Sequence, residues 1–177
     1  MYFDMRILVF WAANLLLFFL SAMVNSSLAP FSLYLILLGP MLVLPALYFK
    51  YPSLMLCSFI TGLSIDALLP TPYWFFVYGL PAIALFIRYI RGHFRTENSY
   101  RFILLAHIAN LATIVSLSLS QGIYFGQIST SLVQVLAITL LSHAILPIVA
   151  SWFFSFERLL FQLLDIGHAN EDEFSTS

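Results

Sequence analysis

Three groups of residues in this chain could do chemistry, and the first is a stripe at helical spacing: Ser58, Gly62 and Asp66, with Leu63 beside it. A carboxylate costs on the order of 3 kcal/mol at the centre of a bilayer, so a membrane helix keeps one where it finds a partner, water or the interface. Intervals of four place the stripe on one helix face, and small residues at that spacing let a neighbouring backbone come close. Asp66 is then open to three readings. It is hydrated near the interface or bonded to a neighbouring hydroxyl, it organises the bundle or a partner helix, or it coordinates an ion or substrate. The second group is His107, Asn110, Ala112, Ser116 and Ser120, with His143 and Asn14 elsewhere. The hydroxyl and amide groups suit helix packing at about 1 kcal/mol or less each. The histidines and Asp66 come from different predicted helices and depths without close ligand spacing, so no metal or cofactor is expected. The third group is Arg88, Arg91, Arg95 and Arg101, a basic cluster suited to anionic lipid headgroups, a cytoplasmic partner or simple orientation.

Enzyme templates are missing. There is no glycine-rich phosphate loop, no Gly-x-Ser-x-Gly elbow, no His-Glu-x-x-His and no close pair of intramembrane carboxylates. A non-enzymatic protein is expected, with no nucleic-acid partner.

The elements that must position these residues follow from composition. Hydrophobic residues make up 62% and charged residues 8% of the 177, against roughly 45–50% and 25% in soluble domains. Mean hydropathy is +0.97. No charge occurs from residue 7 to 49 or from 102 to 156, and only Asp66 breaks the run from 51 to 87. Each run exceeds the roughly 20 apolar residues of one membrane-spanning helix. The expected class is an all-α polytopic membrane protein, a bundle of about six transmembrane helices in the lipid bilayer.

Breakers divide the runs into helices near 6–24, 31–49, 53–69, 73–91, 102–120 and 131–154. Pro30 suits a first helical turn, where its missing N–H is an orphan anyway. Gly39-Pro40 and Pro45 should bend the second helix; prolines are common in ordinary membrane helices, the favoured reading, and in transporters such broken helices line binding sites. Arg6 alone, offset by Asp4, makes a weak basic leader, so the first apolar stretch reads as a span rather than a cleaved signal. The single Cys57 excludes an internal disulfide and reads as a small apolar filler.

Basic residues favour the cytoplasmic side in short loops. Placing the arginine loop inside puts all seven basic residues inside, and the loops near 25–30, 70–73 and 121–130 carry no charge. Both termini are then cytoplasmic. After the sixth helix, Phe156, Leu159, Leu160, Leu163 and Leu164 form an apolar stripe with Glu157, Arg158, Gln162 and Asp165 opposite. This reads as a short surface helix or as a continuation of helix six. Residues 1–166 form one helical domain, and 167–177 read as a disordered tail.

The stretch from Phe59 to His93 resembles the MreD family of the bacterial rod shape-determining system. The resemblance lies in Gly62-Leu63-x-x-Asp66-x-Leu68 late in a short helix, then a small turn and a second apolar helix ending in an arginine-rich loop. Members often have a glycine-containing turn after the aspartate, where this chain has Pro70-Thr71-Pro72-Tyr73-Trp74. The resemblance implies a non-enzymatic component of the lateral cell-wall elongation complex in the bacterial plasma (inner) membrane. Its implied partners are an MreC-like membrane protein, an MreB-like filament, the wall polymerase and a transpeptidase. It carries over Gly62, Leu63 and Asp66 as a helix-contact site. The alternative is the substrate-binding membrane subunit of an energy-coupling-factor type vitamin transporter, which has similar length and helix number. Against it, no alanine is followed by another four residues later, and only the loop at 121–130 is long and polar.

Overall fold

The computed structural model describes residues 5–69, 74–91, 100–125 and 132–163. The chain runs through α1 (Met5–Leu28), a 3-10 turn (Ala29–Phe31), α2 (Gly39–Tyr48), α3 (Tyr51–Leu68), α4 (Phe75–Ile90), α5 (Tyr100–Phe125) and α6 (Leu132–Leu163). It is all-helical among the described residues. Four stretches are long and apolar enough to span a membrane: Met5–Phe31, Tyr51–Leu68, Tyr100–Ser120 and Val133–Leu160. The expected site Arg95, the expected turn at Pro70–Tyr73, residues 126–130 of the expected loop and the tail lie outside the described residues, whereas residues 121–125, expected in that loop, continue α5.

The second helix departs from expectation. Residues 33–38 are not helical, and α2 has only ten residues, with Pro40 in its first turn and Pro45 inside it. Pro30 is instead the second residue of the 3-10 turn that Ala29 begins, and Ser32 closes that turn in the left-handed region at φ 55°. Ten helical residues rise about 15 Å, half of a roughly 30 Å hydrocarbon core. The six irregular residues add about 20 Å at most. Gly39 through Ala46 are all buried, and α2 touches every other helix. This half-helix is therefore the axis of the molecule, not one member of a ring.

Around it, α3 pairs most extensively with α4, and α2 with α5. Phe10, Met41, Leu42, Leu54, Ile87 and Phe153 fill the core. Phe10 meets Phe49 edge to face at 4.9 Å between ring centres. Large apolar side chains cover the outside, among them Phe19 on α1, Tyr78 on α4, Leu119 on α5 and Ile148 on α6. Polar residues lie within: Asn14, Ser58, Thr61, Asn110, Thr113, Ser142 and Glu157 are all buried. That distribution suits a hydrocarbon solvent, which matches apolar side chains and cannot hydrogen-bond polar ones.

The C-terminal amphipathic pattern also resolves differently. α6 is one helix of 32 residues through Leu163, so the continuation holds and no separate surface helix forms up to that point. Glu157, expected on the polar outer side, is 1% exposed, whereas Leu159 is 55% exposed.

Candidate functional site

The Ser58–Asp66 stripe meets α4 of the same chain. A Cβ added at Gly62 would overlap the Phe76 carbonyl, so only glycine lets the two backbones approach this closely. One turn on, Asp66 Oδ2 accepts the Val77 N–H at 2.8 Å. Val77 is third in α4, and its N–H has no partner within the helix, so a carboxylate from α3 caps α4 and meets the positive end of its dipole. Ser58 is buried, and its Oγ has no hydrogen-bond partner among the described residues. Leu63 does not share the stripe; it is 40% exposed and aligns with Phe59, 44% exposed, on the outer side of α3. The rest of α3 is held by α1. Trp11 Nε1 donates to Ser64 Oγ at 3.0 Å and Asn14 Nδ2 to Thr61 Oγ1 at 3.3 Å.

The basic cluster acts on the C-terminus of α2. Arg91 Nη1 donates to the carbonyls of Leu47 (2.8 Å) and Ala46 (3.1 Å), and Arg88 Nη1 donates to that of Phe49. Arg101 Nη2 donates to the Arg91 carbonyl at 2.7 Å. Cations here satisfy carbonyls the short helix leaves open and oppose the negative end of its dipole. Burial, with the neighbouring Arg88 charge next, lowers the Arg91 pKa from its ordinary value. A guanidinium starts high enough to stay charged near neutrality. Arg158 stacks over Phe102, and Arg88 also lies over Tyr51. Four of the basic residues thus gather at one end of the bundle.

The irregular segment before α2 is held by side chains, a role that reading the sequence missed. Asn25 receives the Leu35 N–H on Oδ1 (2.6 Å) and donates from Nδ2 to the Leu35 carbonyl (2.9 Å), as a neighbouring β-strand would. Ser142 Oγ accepts the Ile36 N–H at 3.0 Å, and Gln134 Nε2 donates to the Ser32 carbonyl at 2.8 Å. Asn110 Oδ1 accepts the Gly39 N–H at 3.2 Å. A Cβ at Gly39 would overlap the Ala106 carbonyl, so α2 begins pressed against α5. Non-helical backbone is tolerated at membrane depth only where such partners or a cavity replace water. The signal was present in Asn25, Asn110 and Ser142, polar residues in otherwise apolar runs.

A cavity of about 720 Å³ opens on this segment. Its wall combines residues 34–38 with Phe18, Asn25, Ile114, Leu117, Gln134 and Ile138. It lies toward the N-terminus of α2, opposite the arginine end.

His107 and His143, expected at different depths, stack with ring centres 5.1 Å apart. The correction follows from α5 and α6 packing side by side. His143 Nδ1 is 3.0 Å from the Thr139 carbonyl oxygen and donates to it in the tautomer protonated there. No third His, Cys, Asp or Glu joins them in a metal-holding group among the described residues. Glu157 is the most isolated polar group, since neither carboxylate oxygen has a hydrogen-bond partner among the described residues.

Fold and site together define a helical membrane protein with a discontinuous central helix. The chain matches no family model, no curated protein and no solved structure.

Proposed function

We propose that this chain is a non-enzymatic scaffold of the bacterial lateral cell-wall elongation complex, embedded in the inner membrane with several passes and both termini cytoplasmic. It works through helix contacts with an MreC-like protein and, on its arginine-rich side, with the filament and wall-synthesis enzymes. The observation that carries this reading is the α3–α4 hairpin. Gly62 and Asp66 of the MreD-like motif lock α3 to α4, which leaves Leu63 and Phe59 as a lipid-facing stripe on a rigid support. A partner helix in the bilayer then meets the Phe59–Leu63 side, not the small-residue stripe. Among the described residues little mass lies outside the helices, so their faces are the main surface on offer there.

The test is gentle extraction of the tagged protein from its own membranes and mass spectrometry of what accompanies it. MreC-like and wall-synthesis proteins are expected with the wild type and should be lost with a Phe59→Ala, Leu63→Ala double variant that keeps the wild-type melting temperature. Unchanged recovery with that variant removes the proposed contact. One observation favours a second reading, the vitamin-transporter subunit: the cavity beside an interrupted helix. Co-purifying ATPase subunits would select it.

A further inference from the structure

Four cations gather at one end of the bundle, and among the described residues no carboxylate reaches them. Arg91 is within electrostatic reach of both Arg88 and Arg101, and Arg101 Nη2 donates to the Arg91 carbonyl. Arg158 lies over the ring of Phe102, the residue after Arg101, at 5.2 Å from its centre. Like charges held together in this way repel, and backbone carbonyls relieve that only in part. Glu157 adjoins Arg158 in sequence but is buried, with neither oxygen bonded among the described residues. The carbonyl bonds use one terminal nitrogen each of Arg88, Arg91 and Arg101 and none of Arg158, so donors of every guanidinium fork are spare. Arg158 is exposed and the other three are partly so. Exposed rings stand around them: Tyr51 under Arg88, Tyr89, Tyr100, and Trp152 stacked on Phe156. Amphipathic rings settle at the level of lipid headgroups, which puts the cations at the depth of lipid phosphates.

We infer that this end of the bundle binds the headgroup of an anionic glycerophospholipid, its phosphate held by Arg158 together with the spare donors of the neighbouring arginines. Arg158 is the one of the four with no carbonyl to hold, and so the most open to a ligand. The acyl chains run toward the middle of the bilayer along Leu104 and Leu111, exposed on the face of α5 that follows Arg101. Charge decides the headgroup: a zwitterionic lipid brings its own ammonium and leaves the excess positive charge unmatched. A soluble phosphate matches the charge but has no chains for the exposed rings and leucines beside it. Basic pockets between membrane helices hold anionic headgroups for the same reason. The inference does not rest on the scaffold reading. Its test uses the purified chain without partners, so either can fail alone.

The delipidated full-length protein in a non-ionic detergent is titrated with dioleoylphosphatidylglycerol and separately with dioleoylphosphatidylcholine, and native mass spectrometry follows the lipid-bound states. Saturable binding of phosphatidylglycerol is expected, about ten-fold or more tighter than phosphatidylcholine. Glycerol phosphate at millimolar concentration should not displace it. Arg158→Gln should weaken phosphatidylglycerol binding about five-fold, the worth of one basic residue near a lipid surface. Arg158→Lys keeps the charge and should keep most of the affinity, which separates attraction to the phosphate from lost packing on Phe102. The headgroup comparison needs no variant, so it stands even where a substitution disturbs the fold. Three results would overturn the inference. Equal affinity for the two lipids would mean that the arginines are already neutralised by the chain's own acids. Displacement by glycerol phosphate would make this a site for soluble phosphates. Wild-type binding by folded Arg158→Gln would put the headgroup elsewhere.

Discussion

Asp66 shows how a half-buried carboxylate finds a place in an apolar run. Its Oδ2 accepts the Val77 N–H at 2.8 Å, so it meets an orphan donor of α4. Removing the charge and removing the acceptor are therefore different experiments. Asp66→Asn keeps an oxygen for Val77 and forfeits the charge–dipole attraction, a loss of about 0.5–1 kcal/mol. Asp66→Leu leaves the N–H unmet and should cost about 1–3 kcal/mol. Thermal unfolding in one detergent should rank wild type, Asn and Leu in that order. An Asn variant as unstable as the Leu variant would mean that the charge holds something other than α4. The sequence marked Asp66 as exceptional because nothing else acidic interrupts its apolar run. It could not name Val77, because the capped group is backbone and every residue type except proline carries it.

At the scale of elements, α2 and the α3–α4 hairpin are organised by close approach. Gly62 permits contact with the Phe76 backbone, whereas a Cβ at Gly79 would meet only the Phe75 ring at 3.6 Å, an ordinary contact. Two glycine substitutions should then act in opposite directions. Gly62→Ala forces the helices apart and should destabilise by about 1–3 kcal/mol. Gly79→Ala removes backbone freedom from the unfolded chain and should stabilise by about 0.4–1 kcal/mol. Paired melting curves check both, and a neutral Gly62→Ala would mean that the hairpin is looser than its geometry. Small residues at intervals of four made the α3 contact legible. The half-helix was harder to see, because Leu33 through Leu38 is as apolar as a helix in lipid and its hydropathy is indifferent to backbone conformation. Gly39-Pro40 marked the site of a break, but the partners of the freed backbone sit in α1, α5 and α6.

For the whole molecule, what surrounds the protein decides which face of a helix turns inward. The stripe of Phe156, Leu159 and Leu160 reads as one apolar face of a helix with Glu157 opposite it. Phe156 and Leu160 do pack against the core, but Leu159 turns outward and Glu157 turns inward. Class and helix number were legible because long apolar runs leave few alternatives, and rotation about each helix axis was not. The inward carboxyl gives a global prediction. Both its oxygens lack partners among the described residues, so Glu157→Leu removes a polar group already stripped of water and should leave stability unchanged or raise it by up to ~2 kcal/mol. Cys57, 1% exposed, reports the result, because a fluorogenic maleimide reaches it only as the bundle opens. Faster labelling of the Glu157→Leu protein would show that the carboxyl supports the native bundle after all.

The side chains that replace secondary structure before α2 also impose an order on biogenesis. Asn25 precedes Leu35 by ten residues and is present when that segment is made, but Asn110 and Ser142 lie 71 and 106 residues away from the groups they bond, Gly39 and Ile36. Unmet backbone groups are too costly to leave in hydrocarbon. While the ribosome is still on α3 or α4, the segment has to wait outside the lipid, in the insertion machinery, or as a provisional helix. Its final path is laid down only when the last two helices arrive, so the second segment to be translated is among the last to be finished.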